Sequence, residues 1–148
     1  MSLDYLKRLQ PESTKSVRYP LNMISTDNGE TNPTLLVRPA TEVNKAFANE
    51  QMKMARKNVP AMRSGGLTVA LIEDTRDNDR VLFSKYVITG WEHVVEDDGS
   101  ELVFSSGSCL EFLQALPDWV FDEVRNFCGN SQNFVESVVN VEGVAKNL

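Results

Sequence analysis

Proline, glycine and asparagine turns cut this chain into segments with room for one element each. Pro11, Pro20, Asn28-Gly29, Pro60 with Ser64-Gly65-Gly66, Asp98-Gly99, Pro117 and Gly129 are the breakers. Proline fixes φ and lacks a backbone N–H, while Gly and Asn tolerate positive φ, so each site ends an element or turns the chain. A fold built here must be assembled from short helices and strands.

Residues 2–10 (SLDYLKRLQ) space Leu3, Leu6 and Leu9 three apart, with Tyr5 beside them, and Pro11 follows. This is a short amphipathic helix, too short to hold alone, so it must dock or fray. Residues 17–24 and 34–38 flank Thr26-Asp27-Asn28-Gly29 and predict a hairpin, with Pro20 placing the first strand at a sheet edge. Thr41 is the expected N-cap of a helix over residues 42–58, which Pro60 and Ser64-Gly65-Gly66 break. Residues 67–91 read as helical by the recurrence of Leu67, Leu71, Leu82, Tyr86 and Phe83, Val87, Trp91, although their Val, Ile and Thr content also suits two strands.

Val94-Val95 and Leu102-Val103-Phe104 flank Asp98-Gly99 and predict a second, small hairpin. Ser108 with Glu111 makes a capping-box pattern opening a helix that ends at Pro117. Asp118 is the expected N-cap of the next helix and Gly129 its terminator, and Ser131 can cap a last helix beginning NFVESVV. The fold class is α+β: an N-terminal β-hairpin, then a mostly helical domain with a second small hairpin. Residues 1–16 form a docking helix and linker, 17–66 the hairpin plus a helix, and 67–148 a helical region, all in one compact domain.

Composition narrows function chiefly by exclusion. With 148 residues, 41% hydrophobic and 24% charged, the chain can bury a core without a metal or disulfide. Its formal charge of −6 disfavours non-specific nucleic-acid binding. No apolar run approaches the roughly 20 residues that span a bilayer, and the start lacks a signal-peptide pattern, so a soluble protein made in a cytoplasm is expected. Charge is unevenly placed. Residues 1–66 hold ten Lys/Arg and six Asp/Glu, net +4, while residues 67–148 hold five and fifteen, net −10. Such a chain either is dipolar or meets charged partners with different faces.

No constellation with catalytic spacing emerges. His93 with Cys109 and Cys128 contains the residue types of a nucleophile and base, but both cysteines fall in helical stretches, where Cys behaves as a small hydrophobe. Glu96, Asp97, Asp98 and Glu101 around Gly99 do not match a calcium loop, because Val94 falls at its first ligand position. Asp77 and Asp79 fail the same test, and with Asp74 they read as a solvated helix face. Ser64-Gly65-Gly66 lacks the Lys of a phosphate loop. Trp91, Trp119, Phe121, Phe127 and Phe134 are expected in the core. The residues therefore assign no catalytic, cofactor-binding or metal site, and leave the partner-binding residues unknown.

Two blocks carry a resemblance. The first is Leu36-Val37-Arg38-Pro39-Ala40-Thr41-Glu42-Val43-Asn44-Lys45-Ala46-Phe47. The second begins with Thr89-Gly90-Trp91 and the acidic turn from Val95 through Asp98-Gly99 to Phe104-Ser105. It continues with Pro117-Asp118-Trp119, Asp122-Glu123-Val124-Arg125-Asn126-Phe127 and Asn130-x-x-Asn133-Phe134. In this order they resemble the tail assembly chaperones of long-tailed, siphovirus-type bacteriophages. The resemblance implies a protein that is not an enzyme and uses no cofactor. Such chaperones coat the tape-measure protein in the infected bacterial cytoplasm, help recruit tail-tube subunits, and are absent from the virion.

Coating an amphipathic client needs apolar grooves for helices and net charge for solubility. The aromatic-rich C-terminal helices are the expected groove and the acidic half supplies the charge. Membranes and nucleic acid are not expected partners, and a homo-oligomer is compatible with this reading. The competing class is a structural virion protein, a head–tail connector or capsid-surface protein contacting neighbouring capsid or connector subunits. In many such phages a −1 ribosomal slip near the end of the chaperone gene adds a second domain. Ala145-Lys146-Asn147 can be encoded by the slippery run GCA AAA AAC, which makes a frameshifted longer form an expectation here.

Overall fold

A computed structural model describes residues 2–24 and 32–135 of the chain. Strand β1 (Val17–Pro20) pairs antiparallel with β2 (Thr34–Val37), Val17 opposite Val37 and Pro20 opposite Thr34. This is the expected hairpin, and its Asn28-Gly29 turn lies outside the described residues. β2 also pairs with a third strand, β3 (Ile88–Glu92), giving the order β1-β2-β3, so β1 is the edge strand that Pro20 requires. Gly90 on β3 sits against Leu36, where an added Cβ would come within 3.2 Å of Leu36 Cδ1. That close approach suits glycine.

Helix α1 (Lys45–Gly65) and helix α2 (Val69–Leu82) form the next pair. α1 is longer than the 42–58 expected and runs through Pro60. The proline removes the bond to the Arg56 carbonyl, but this part of α1 is exposed and water can take that acceptor. The cap is Asn44, not Thr41. Asn44 Oδ1 accepts from the Phe47 N–H, and its Nδ2 donates to the carbonyls of Pro39 and Tyr86. A buried amide with those three bonds serves better than a hydroxyl. Gly66, at φ 67°, ends the helix as the Gly-Gly pair predicts.

α2 passes through one π turn (Phe83–Val87) directly into β3. The helical reading of residues 67–91 therefore holds to Val87, and the strand content at its end becomes the third strand. The second hairpin is reduced to a single bridge, Val95 opposite Glu101, around Gly99 at φ 86°. Helix α3 (Ser106–Ala115) starts one turn earlier than the Ser108–Glu111 pattern suggests, with Ser105 as N-cap and Ser108 completing a reciprocal capping box. Helix α4 (Asp118–Cys128) is preceded by Pro117, so Asp118 is its first residue rather than its cap. Its carboxylate instead meets arginines of α2. After α4 comes a 3-10 turn (Ser131–Phe134) capped by Asn130, where a helix capped by Ser131 was expected. The rest of that expected helix, and residues 145–147 of the expected slip site, lie outside the described residues.

The core lies between the sheet and the helices. Leu35, Val37, Phe47, Phe83, Leu113 and Phe121 are fully buried in it. Phe83 meets both Phe47 and Phe121 edge-on, with ring centroids 5.6 and 5.4 Å apart. The N-terminal segment forms a 3-10 turn (Asp4–Leu9) that buries none of its residues. The expected docking stretch thus presents Leu3, Tyr5, Leu6 and Leu9 to solvent.

Candidate functional site

α1 and α2 lie side by side and leave an apolar groove of about 380 Å³ between them. Met54, Ala55 and Met62 of α1 face Leu71 and Leu82 of α2 across it, with Leu67 at the mouth. Met62 is 45% exposed, Leu67 69%, and Met52 on the rim 55%. Three of the five methionines of the chain therefore line one groove. Unbranched, polarisable Met side chains repack around irregular apolar partners, which is why adaptable helix-binding surfaces use them. Val59, Val69 and Ile72 are exposed nearby on the same two helices.

Among the described residues, the aromatics of the C-terminal helices expected to line a groove mostly pack inward. Phe121 and Phe134 are buried, Phe127 is half-buried against Tyr19, and Phe112 packs on Trp91. Trp91 joins the core edge as expected, stacked edge-on to Phe104 with its indole N–H donating to the Leu102 carbonyl. Trp119 does not: at 59% exposure it is a surface residue. In the sequence, Met54 and Met62 look like ordinary apolar positions flanking Pro60. The missed signal is their clustering with Met52 and Val59 beside Leu67 and Leu71 across one short connection.

His93, Cys109 and Cys128 do not form a reactive set. His93 occupies the exposed loop after β3 at φ 60°, and no hydrogen bond joins it to either thiol among the described residues. Both cysteines are buried and free. Burial pushes the Cys109 thiol up to about 12 and raises that of Cys128 further, so neither forms a thiolate near neutrality. Asp98 accepts from Ser100, which holds its carboxyl below the usual range and fixes the turn. Among the described residues no group of three or more His, Cys, Asp or Glu side chains is placed to hold a metal ion.

The carboxylates of α2 are not all a solvated face. Asp74 is exposed, but Asp79 is buried and pairs with Arg125 of α4 at 2.8 Å. Asp77 and Asp118 meet Arg80, and Asp118 and Asp122 meet Arg76. This arginine–aspartate lattice ties α2 to α4, and its Asp79 also borders the groove. Hydrogen bonding to Arg76 holds the Asp122 carboxyl below its ordinary value. Burial pushes that of Asp79 up, against the pull of Arg125.

Residues 41–146 match the family model described as YdaY prophage protein. No curated protein and no solved structure matches the chain. Among the described residues no helix is long and apolar enough to cross a membrane. The matched span holds α1 to α4, and with them the whole groove, while the N-terminal turn, β1 and β2 precede it. By the extent of that match, the chain belongs to the YdaY prophage protein family and is phage-derived.

Proposed function

We propose that this protein is a phage tail assembly chaperone that receives helices of the tape-measure protein in the α1–α2 groove and acts in the cytoplasm of the infected bacterium. The observation carrying this reading is the exposed, Met-rich apolar groove between two helices. Phage origin and the ordered resemblance over residues 36–47 and 89–134 point the same way. The role is binding, without catalysis or a cofactor, and tail-tube subunits are the second partners. Co-expression with the tape-measure protein of the same phage should keep that protein soluble. Met62→Glu, which puts a charge into an exposed wall of the groove without touching the core, should abolish that effect. Solubility unaffected by either the protein or its variant contradicts the reading.

A structural virion protein is the second reading, and the N-terminal turn favours it. Leu3, Tyr5, Leu6 and Leu9 are exposed together, as in an arm that grips a neighbouring subunit. Mass spectrometry of purified virions separates the two: a chaperone is absent, and a connector or capsid-surface subunit is present in fixed copy number.

A further inference from the structure

The two walls of the groove differ in charge. On α1, Met52, Arg56, Val59 and Arg63 follow the i, i+4, i+7, i+11 spacing of one helical stripe, and all four are exposed. This stripe is the outer rim of the α1 wall, since Met52 borders the groove. Among the described residues, Arg56 and Arg63 make no ion pair or hydrogen bond through their guanidinium groups. Their charge is therefore available to a ligand. On α2 the lining turns polar through Thr75, Asn78 and Asp79, the last paired with Arg125, with exposed Asp74 beside them.

We infer that the groove selects an amphipathic helix whose apolar stripe is flanked on the α1 side by acidic residues. The inference rests on the reading of the groove as a client site and names the chemistry of the client. The α1 wall from Gln51 to Met62 rises about 1.5 Å per residue, so it holds roughly three turns of helix. Two client carboxylates spaced seven residues apart would meet Arg56 and Arg63, while the apolar stripe enters among the methionines. A second copy of this chain is a poorer occupant, because its exposed apolar turn around Leu3, Leu6 and Leu9 carries Lys7 and Arg8, which Arg56 and Arg63 would repel. The chain as a whole is −6, so generic attraction would favour a basic peptide. A preference for an acidic flank therefore has to come from the local rim.

The test is fluorescence anisotropy of the full chain with three designed helical peptides of one length. The first two share a Leu/Met stripe and carry Glu or Lys on its flank; in the third, Asn replaces the stripe. The Glu-flanked peptide should bind about fivefold more tightly than the Lys-flanked one at low salt, the scale of two exposed ion pairs, and the gap should close at high salt. Arg56→Glu with Arg63→Glu, both at exposed positions, should reverse the order. Equal binding, or a preference for Lys, by peptides that still need the stripe overturns this inference and leaves the groove reading standing. No stripe-dependent binding of either peptide overturns both. A wild-type dimer in sedimentation that Met62→Glu dissociates also overturns it, by making a second copy the occupant.

Discussion

Arg80 lies almost fully buried on α2, and its guanidinium reaches three elements. Nε donates to the Leu113 carbonyl at 2.8 Å, and Nη2 donates to the Leu116 carbonyl and to Asp118. The group also stands 4.9 Å from the centre of the Phe121 ring. It thus supplies donors to carbonyls that the end of α3 leaves without intrahelical partners. Arg80→Met should cost about 2–4 kcal/mol in denaturant unfolding, because the Leu113 and Leu116 carbonyls lose the guanidinium donors and Asp118 loses an ion pair. Arg80→Lys should recover only part, since an ammonium lacks the planar fork. The two tryptophans should separate in the same measurement. Trp91→Ala should cost about 3 kcal/mol, and Trp119→Ala about zero, given its exposure.

Asp122 gives a pH signature at the same scale. Its folded pKa is lowered, so the folded state binds fewer protons in that window and stability rises with pH through it. The stability lead of the wild type over Asp122→Asn should be full at pH 6. It should shrink once pH falls below about 4, the ordinary range of an aspartate. A lead independent of pH would show that the Arg76 and Arg125 contacts to Asp122 contribute nothing. None of this lattice is legible in the sequence. Arg76, Arg80 and Arg125 look like surface charges until α2 and α4 are brought together across some 46 positions of chain.

Elements set by local chemistry were the legible ones. The first hairpin follows from two strand-forming runs around Asn-Gly, and the α3–α4 boundary from Pro117. The misses are where contacts distant in sequence decide. β3 exists because β2 has a free edge, and residues 88–92 continue the helical spacing that precedes them. α1 outruns Pro60 because a helix tolerates one missing bond on an exposed side, and only that extra length carries Met62 and Arg63 to the groove. The capping box moved one turn because Ser105, Ser108 and Glu111 repeat the same spacing. Ser105→Ala should therefore cost about 1 kcal/mol, while Glu111→Ala should leave thermal unfolding unchanged. The opposite ranking would restore Ser108 as the cap.

Across the whole molecule, the split of charge seen in the sequence gains a location. The net +4 of residues 1–66 includes the cations of α1, and the acidic remainder contains the arginine-neutralised lattice and the solvent-facing loop around Asp98. Apolar surface concentrates on the α1–α2 face, with a smaller exposed set on the N-terminal turn. A folded domain that leaves two methionines and several aliphatic side chains open on one helical pair, with a third methionine half-buried between them, is built to cover them with something. The most direct measurement is a methyl NMR titration of methionine-labelled protein with the Leu/Met-striped amphipathic peptide. The methyl signals of Met52, Met54 and Met62 should shift together and saturate, while Met23, which packs against the core near the sheet, stays in place. Saturating shifts at Met23 with none at the three groove methionines, or no shift at any of them, would contradict the α1–α2 groove as the site where this protein holds its client.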